Sequence, residues 1–283
     1  MKGTFDFGGS KLSVNRLGFG AMRLAGPHAW GPPKDPAGAV AVLREAVALG
    51  VNHIDTSDYY GPYVVNRLIK EALYPYPKDL VLVTKVGYVR GADASWQPDF
   101  SKENLTRSVH DNLRHLSLDV LDVVNLRMSS PQDSIDRPLD ALMDLQQQGL
   151  LKHIGMSAVS AAQVARAREL TQIVCVQNLY NIASRTDDKM IDELADAGIA
   201  YVPFFPLGGF NPLQSAELDA VAKEMGITPM EVALAWLYQR APNILLIPGT
   251  SSLAHLRSNM GAAKLELPTA IRARLDKIGS APK

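Results

Sequence analysis

The sequence predicts an α/β protein, a (β/α)8 TIM barrel with a short N-terminal β-hairpin. Three observations point there. Eight short apolar runs rich in β-branched residues alternate with amphipathic helical patterns, as repeated β-α units around a parallel sheet require. The length, 283 residues, is near the ~250 typical of that barrel. No GxGxxG follows any early strand, which removes the main support for an open doubly wound sheet. The expected organisation is one barrel domain over residues 1–283.

In chain order, GTFDFGGSKLSV alternates around a GlyGly turn and reads as a small hairpin plugging one barrel end. Strands follow at RLGFG (16–20), VNHID (51–55), LVLVT (80–84), LDVVNL (121–126), HIGMS (153–157), IVCVQ (173–177), AYVPF (200–204) and ILLIP (244–248). Between them lie helical patterns such as 37–50, 101–117 and 160–171, each beginning near a Ser or Pro. Gly50, Gly149 and Gly198 stand where left-handed C-caps are expected.

Composition narrows the function. The chain has 29 basic and 29 acidic residues, and this balance argues against a nucleic-acid footprint. Cys175, the single cysteine, lies in IVCV and reads as a small buried residue; no disulfide can form within the chain, which fits a reducing compartment. The N-terminus lacks the apolar stretch of a signal peptide, and no run approaches the ~20 apolar residues of a membrane span, so a cytoplasmic protein is the expectation. Nothing in the sequence sets an oligomeric state.

The chemistry-bearing residues are Asp55, Tyr60 and Lys85, in HIDTSDYYG and VLVTKVGY. Asp55 ends the second strand, Tyr60 follows on its loop and Lys85 ends the third, so all three face the C-terminal mouth where barrel sites gather. A phenol, with a usual pKa of about 10, gives up a proton poorly near neutrality unless a nearby cation stabilises the phenolate. A lysine can do so, and an aspartate can hold that lysine charged and aimed. The plain alternatives are a loop cap at Asp55, a rim residue at Tyr60 and an ordinary ion pair at Lys85. Tyr59 is a rival phenol next door.

From LGFGAM through IDTSDYYG, VTKVG, LDVLDVVNL, HIGMS, VQNLYN and VPFFPLGG to IPGTSSLAHLRSN, the chain resembles the aldo-keto reductase family along nearly its whole length. NRLGFGAMRLAGP, YGPYVVNRLIKEALYPY, VVNLR and AYVPFFPLGGFNPLQS are similar to the bacterial branch that contains an NADPH-dependent pyridoxal reductase. The resemblance implies that Tyr60 is the proton donor, that Lys85 lowers its pKa and that Asp55 supports the lysine. The usual histidine at the end of the fourth strand is here Arg127, whose rigid guanidinium can polarise a carbonyl, favour a phenolate at Tyr60 or pair with an ionised oxygen on the substrate. A rim salt bridge to Asp122 or Asp55 is the plain alternative.

The same resemblance implies an NADPH site lined by Gly20, Ala21 and Met22. Ser157 and Gln177 would bind the nicotinamide carboxamide, with Phe204 as a stacking face. Ala158 replaces the asparagine that many members place beside it. The diphosphate would lie on Pro206, Leu207, Gly208 and Gly209. Gly249, Thr250, Ser251 and Ser252, at a helix N-terminus, would seat the 2′-phosphate, with His255 and Arg257 adding charge and Asn259 reaching the adenine. Gly249 and His255 stand where many NADP-specific relatives carry Lys and Arg. The loops 24–36, 88–100 and 127–138 supply the substrate walls, with Trp30 and Tyr88 favoured over Trp96. The expected partner is a small carbonyl compound, most simply pyridoxal, and no metal is needed. Sugars, short aldehydes or quinones as substrates, or a non-catalytic NADPH-binding sensor, are the alternatives.

Overall fold

Seven parallel strands curl into a barrel wall in the computed structural model, which describes residues 3–7, 12–209 and 213–279. β1 (Thr4–Asp6) and β2 (Ser13–Asn15) pair antiparallel as the expected hairpin; its GlyGly turn lies outside the described residues. Then come β3 (Phe19–Gly20), α1 (Pro36–Ala48), β4 (His53–Asp55), α2 (Val64–Leu73), β5 (Val81–Val86), β6 (Tyr88–Arg90), β7 (Trp96–Pro98), α3 (Lys102–Leu116) and β8 (Leu121–Arg127). The second half runs α4 (Asp136–Gln147), β9 (Leu151–Ser157), α5 (Ala161–Leu170), β10 (Ile173–Leu179), α6 (Asp188–Asp196), β11 (Ala200–Phe204), α7 (Ala216–Met225), α8 (Pro229–Arg240), α9 (Leu253–Ala262) and α10 (Thr269–Leu275). The sheet order is β11-β10-β9-β8-β5-β4-β3.

The first and eighth expected strands are shorter than the sequence suggests. Of 16–20, only Phe19–Gly20 pairs as a strand, and 244–248 is reduced to two isolated parallel bridges, Leu17 to Leu246 and Tyr201 to Ile244. Those bridges nevertheless close the wall. Leu246 N–H donates to the Arg16 carbonyl at 2.8 Å and Leu245 N–H to the Tyr201 carbonyl at 2.9 Å, so the segment bonds on both sides. The stretch 88–100, expected as a loop, folds part of its length into the β6–β7 hairpin.

Side chains alternate across each strand, which separates two cores. Val81, Val83, Val123, Cys175, Val202 and Leu245 fill the barrel interior, where Phe7 and Val14 from the N-terminal hairpin join them and plug its base. The opposite faces pack against the helices. Helix starts follow local chemistry: Asp35 accepts from Gly38 N–H, Ser101 from Asn104 N–H, and Ser160 with Gln163 and Thr228 with Glu231 form capping boxes. Gly50, Gly149 and Gly198, with φ of 94°, 78° and 67°, end α1, α4 and α6 in the left-handed conformation. Among the described residues no helix is long and apolar enough to cross a membrane.

Candidate active site

Inward-facing residues at the C-terminal strand ends surround a cavity of about 770 Å³. Asp55, Tyr60, Lys85, Arg127, Gln177 and Phe204 all line it. Strand parity explains the set: Lys85 shares a face with Val83 and Val81, while Thr84 turns outward and donates to Asn112 on α3 at 2.6 Å. The Tyr60 loop is pinned from beneath. Thr56 N–H donates to the Val83 carbonyl at 2.8 Å, Thr56 Oγ1 to Asn66 Oδ1 at 2.8 Å, and Tyr60 N–H to the Ser57 carbonyl at 3.3 Å.

Lys85 Nζ donates to Asp55 Oδ1 at 2.6 Å and to the Thr56 carbonyl at 3.0 Å, both side chains being almost wholly buried. Gln177 Nε2 donates to the other Asp55 oxygen at 2.8 Å. The carboxylate therefore serves a cation on one side and an amide on the other. Lys85 Nζ also lies 5.1 Å from the centroid of the Tyr60 ring. Burial pushes the Tyr60 phenol above its usual pKa, the Asp55 charge adds to the rise and Arg127 pulls it down. Arg127 is the cation that opposes the rise, and the Lys85 charge is matched by Asp55.

Arg127 makes no ion pair among the described residues. Asp122 is engaged by Lys152 at 2.7 Å, and Asp55 by Lys85. The Arg127 guanidinium instead lies 5.6 Å from the Tyr88 ring centroid and 5.2 Å from that of Phe204. A delocalised cation held between aromatic faces, with no carboxylate neutralising it, keeps its charge for whatever enters the cavity. Tyr59 is buried, its hydroxyl has no hydrogen-bond partner among the described residues, and its ring contacts Tyr60, Tyr88 and Trp96.

Ser157 Oγ and Gln177 Oε1 are buried without a hydrogen-bond partner, on residues paired across β9 and β10. Two adjacent orphans of this kind suit an amide that both donates and accepts. Gly20, Met22, Pro206, Leu207, Gly209, Gly249, Thr250, Ser251, His255 and Asn259 line the rest of the cavity. Ala21, Ser157, Gly208 and Ser252 stand beside it without lining it; Ser252 Oγ accepts from His255 N–H and caps α9. Arg257 is drawn away by Glu45, at 2.9 Å. Trp30 lies outside the lining, against Arg90, whereas Tyr88 and Trp96 are both in it.

Several lining residues were not read from sequence: Arg23, which donates to the Gly209 carbonyl at 2.6 Å across the groove, and Phe205, Thr228, Met230 and Ser258. Nothing local marks them, because each reaches the cavity only through loop or helix packing. Cys175 is buried, donates to Asn125 Oδ1 at 3.2 Å and has its thiol pushed up to about 12 by burial, so it is an inert core residue. Among the described residues no cluster of three or more His, Cys, Asp or Glu could hold a metal ion.

A parallel barrel with a buried Asp-Lys pair under a phenol at its mouth defines an aldo-keto reductase type of site. Comparison with known proteins agrees: the aldo/keto reductase family profile matches residues 16–280, and the chain belongs to that family. It is 63% identical over 281 residues to pyridoxine 4-dehydrogenase of Escherichia coli (strain K12), covering 97% of this chain and 98% of that one. It is 36% identical over 269 residues to an uncharacterised oxidoreductase of Schizosaccharomyces pombe (strain 972 / ATCC 24843), covering 95% and 88%. A thermostable aldo-keto reductase crystallised with the inhibitor epalrestat superposes with a TM-score of 0.83 at 28% identity, covering 98% and 99%.

Proposed function

We propose that this chain is a cytoplasmic NADPH-dependent reductase that converts an aldehyde to the alcohol, with pyridoxal as its substrate. The observation that carries the reading is Tyr60, a buried phenol beside the Lys85–Asp55 pair, in one cavity with the Arg127 guanidinium, which has no ion-pair partner among the described residues. The substrate assignment draws on the 63% identity to a pyridoxine 4-dehydrogenase.

Bound NADPH supplies the hydride. Ser157 and Gln177 would hold its carboxamide, Phe204 would pack on the ring, Pro206, Leu207 and Gly209 would take the diphosphate, and Thr250 and Ser251 just before α9 would take the 2′-phosphate. Tyr60 hydrogen-bonds the carbonyl oxygen and releases its phenolic proton to it as the alkoxide forms. The phenolate left behind is stabilised by Arg127, while Lys85 offsets the Asp55 charge beside it and Asp55 holds Lys85 in place. Arg127 also pairs with the ionised oxygen next to the aldehyde on the pyridine ring, which turns the carbonyl toward Tyr60.

NADPH oxidation with pyridoxal by the purified protein tests this reading. Turnover that disappears in Tyr60→Phe is the expected result. Absence of turnover with pyridoxal and with a broad aldehyde panel would favour the non-catalytic sensor instead.

A further inference from the structure

Arg90 holds the mouth of the barrel together without lining its cavity. It ends β6 directly across the hairpin from Trp96, with its guanidinium carbon 3.9 Å from the Trp96 ring centroid and 5.1 Å from that of Trp30. Among the described residues no carboxylate pairs with it. Its two terminal nitrogens donate to main-chain carbonyls of three separate segments: Ala94 in the hairpin turn at 2.8 Å, Ala29 and His28 in the loop after β3 at 2.9 and 3.3 Å, and Tyr59 at 3.4 Å; Nε is buried with no partner among the described residues. The Ala29 carbonyl also accepts the Gly61 amide at 3.0 Å. Tyr60 is thereby bracketed. The residue before it is tied to Arg90 by its carbonyl, and the residue after it is tied by its amide to a carbonyl that Arg90 also holds.

His28 and Ala29 both have left-handed backbones, with φ of 56° and 55°. Side-chain-bearing residues seldom adopt this region in succession, and such conformations persist where the surroundings over-determine them. A planar fork donating to both carbonyls does that; an ammonium, a compact point charge, lacks the fixed geometry to span them. The same guanidinium stacks on Trp96, which contacts Tyr59 and Tyr88, so one cation fixes both the phenol loop and the aromatic wall.

We propose that Arg90 is a positioning residue for carbonyl reduction: its fork fixes the backbone on either side of Tyr60 and the Tyr59–Tyr88–Trp96 wall, governing use of the aldehyde and leaving cofactor binding untouched. The proposal rests on Tyr60 being the proton donor. The expected cofactor residues at 20–22, 206–209 and 249–259 are not among the hydrogen-bond partners of Arg90, which are Ala29, Tyr59, His28 and Ala94.

The test compares Arg90→Lys and Arg90→Ala with wild type, using an aldehyde the wild type reduces and following NADPH binding by nicotinamide fluorescence. The aldehyde kcat/KM should fall roughly tenfold or more in both variants, with the NADPH Kd within about twofold of wild type. Wild-type kinetics in Arg90→Lys, or a matching loss of NADPH affinity, would overturn the proposal. Amide exchange in the wild-type chain needs neither turnover nor a folded variant. The Gly61 and Trp30 amides should exchange slowly and at similar rates; fast exchange at Gly61 while α3 stays protected also overturns it. A wild type inactive on every aldehyde counts against the proposed function, and the exchange data then judge the clamp alone.

Discussion

Lys85 Nζ sits 2.6 Å from Asp55 Oδ1 and 5.1 Å from the centre of the Tyr60 ring, so this cation beside the phenol is already matched by a carboxylate. Asp55 works against ionisation of Tyr60, and Arg127 works for it. The two cations thus have separate parts: Lys85 cancels the Asp55 charge, and Arg127 adds positive potential with no ion-pair partner among the described residues.

Replacing Arg127 by Met should therefore raise the Tyr60 pKa further. The fall in reductase activity on the alkaline side, where the phenol loses its proton, should move to higher pH. The rate should drop by about ten- to a hundredfold as phenolate stabilisation is lost. Pyridoxal, with its ionised ring oxygen, should lose more kcat/KM than a neutral benzaldehyde. Equal losses on the two substrates would show that Arg127 does not read that oxygen.

Asp58 lies buried beneath the Tyr60 loop. Burial pushes its carboxyl up to about 7, helped by Asp111 and opposed by hydrogen bonds from Ser108, Ser57 and Asn112. Because the folded pKa exceeds the unfolded value, the folded chain holds this proton more tightly. The stabilisation is complete below the unfolded value and is lost as pH rises through about 7. His53 runs the other way: burial lowers its pKa to about 4, so its contribution is lost as pH falls from about 6.5 toward 4. Asp58→Asn removes only the first slope. Urea unfolding at pH 5 and pH 8 should show the variant gaining on wild type at the higher pH, by on the order of 2 kcal/mol. Parallel pH dependence in the two proteins would contradict the assignment.

Ala158 follows Ser157 with φ of 55°, and its N–H donates to the Gln177 carbonyl at 2.9 Å. Asparagine accepts this conformation more readily than alanine. Ala158→Asn should stabilise the fold by roughly 0.5–1 kcal/mol. It should also tighten NADPH binding, since the amide adds a partner beside the Ser157 and Gln177 orphans. An unchanged thermal midpoint together with unchanged NADPH affinity would count against both effects.

Gly249 cannot simply be replaced by lysine. A Cβ there would lie 2.5 Å from the Gly20 carbonyl oxygen, and one on Gly20 would lie 2.5 Å from that of Ile247. Gly249→Lys should destabilise the chain by about 1–3 kcal/mol and weaken NADPH binding. His255→Arg, exposed on the first turn of α9, should instead raise the preference for NADPH over NADH. Dissociation constants for both dinucleotides in each variant check this pair of outcomes.

The barrel was legible because strand parity and helix caps are local. VLVTKV places Lys85 on one face with Val81 and Val83, and Ser160 with Gln163 starts α5 within four residues of sequence. What escaped depends on contacts distant in the chain. The Gln177 bond to Asp55 spans 122 positions, and Arg23 reaches Gly209 only once two loops face each other. The β6–β7 hairpin turns through GADAS, which lacks the Asn-Gly type of signal, so Trp96 could not be seen to swing into the cavity beside Tyr88 while Trp30 stays behind Arg90. The last strand shrinks to bridges because ILLI needs only a few bonds, to Arg16 and Tyr201, to close the wall.

Proton donation by Tyr60 is tested most directly by measuring NADPH-dependent reduction of pyridoxal in Tyr60→Phe alongside its NADPH Kd. Loss of the hydroxyl should cut kcat by about 10²- to 10⁴-fold while the cofactor binds as in wild type. Full turnover in Tyr60→Phe would contradict the account, and Tyr59, the other buried phenol in the cavity, would be the next proton source to examine.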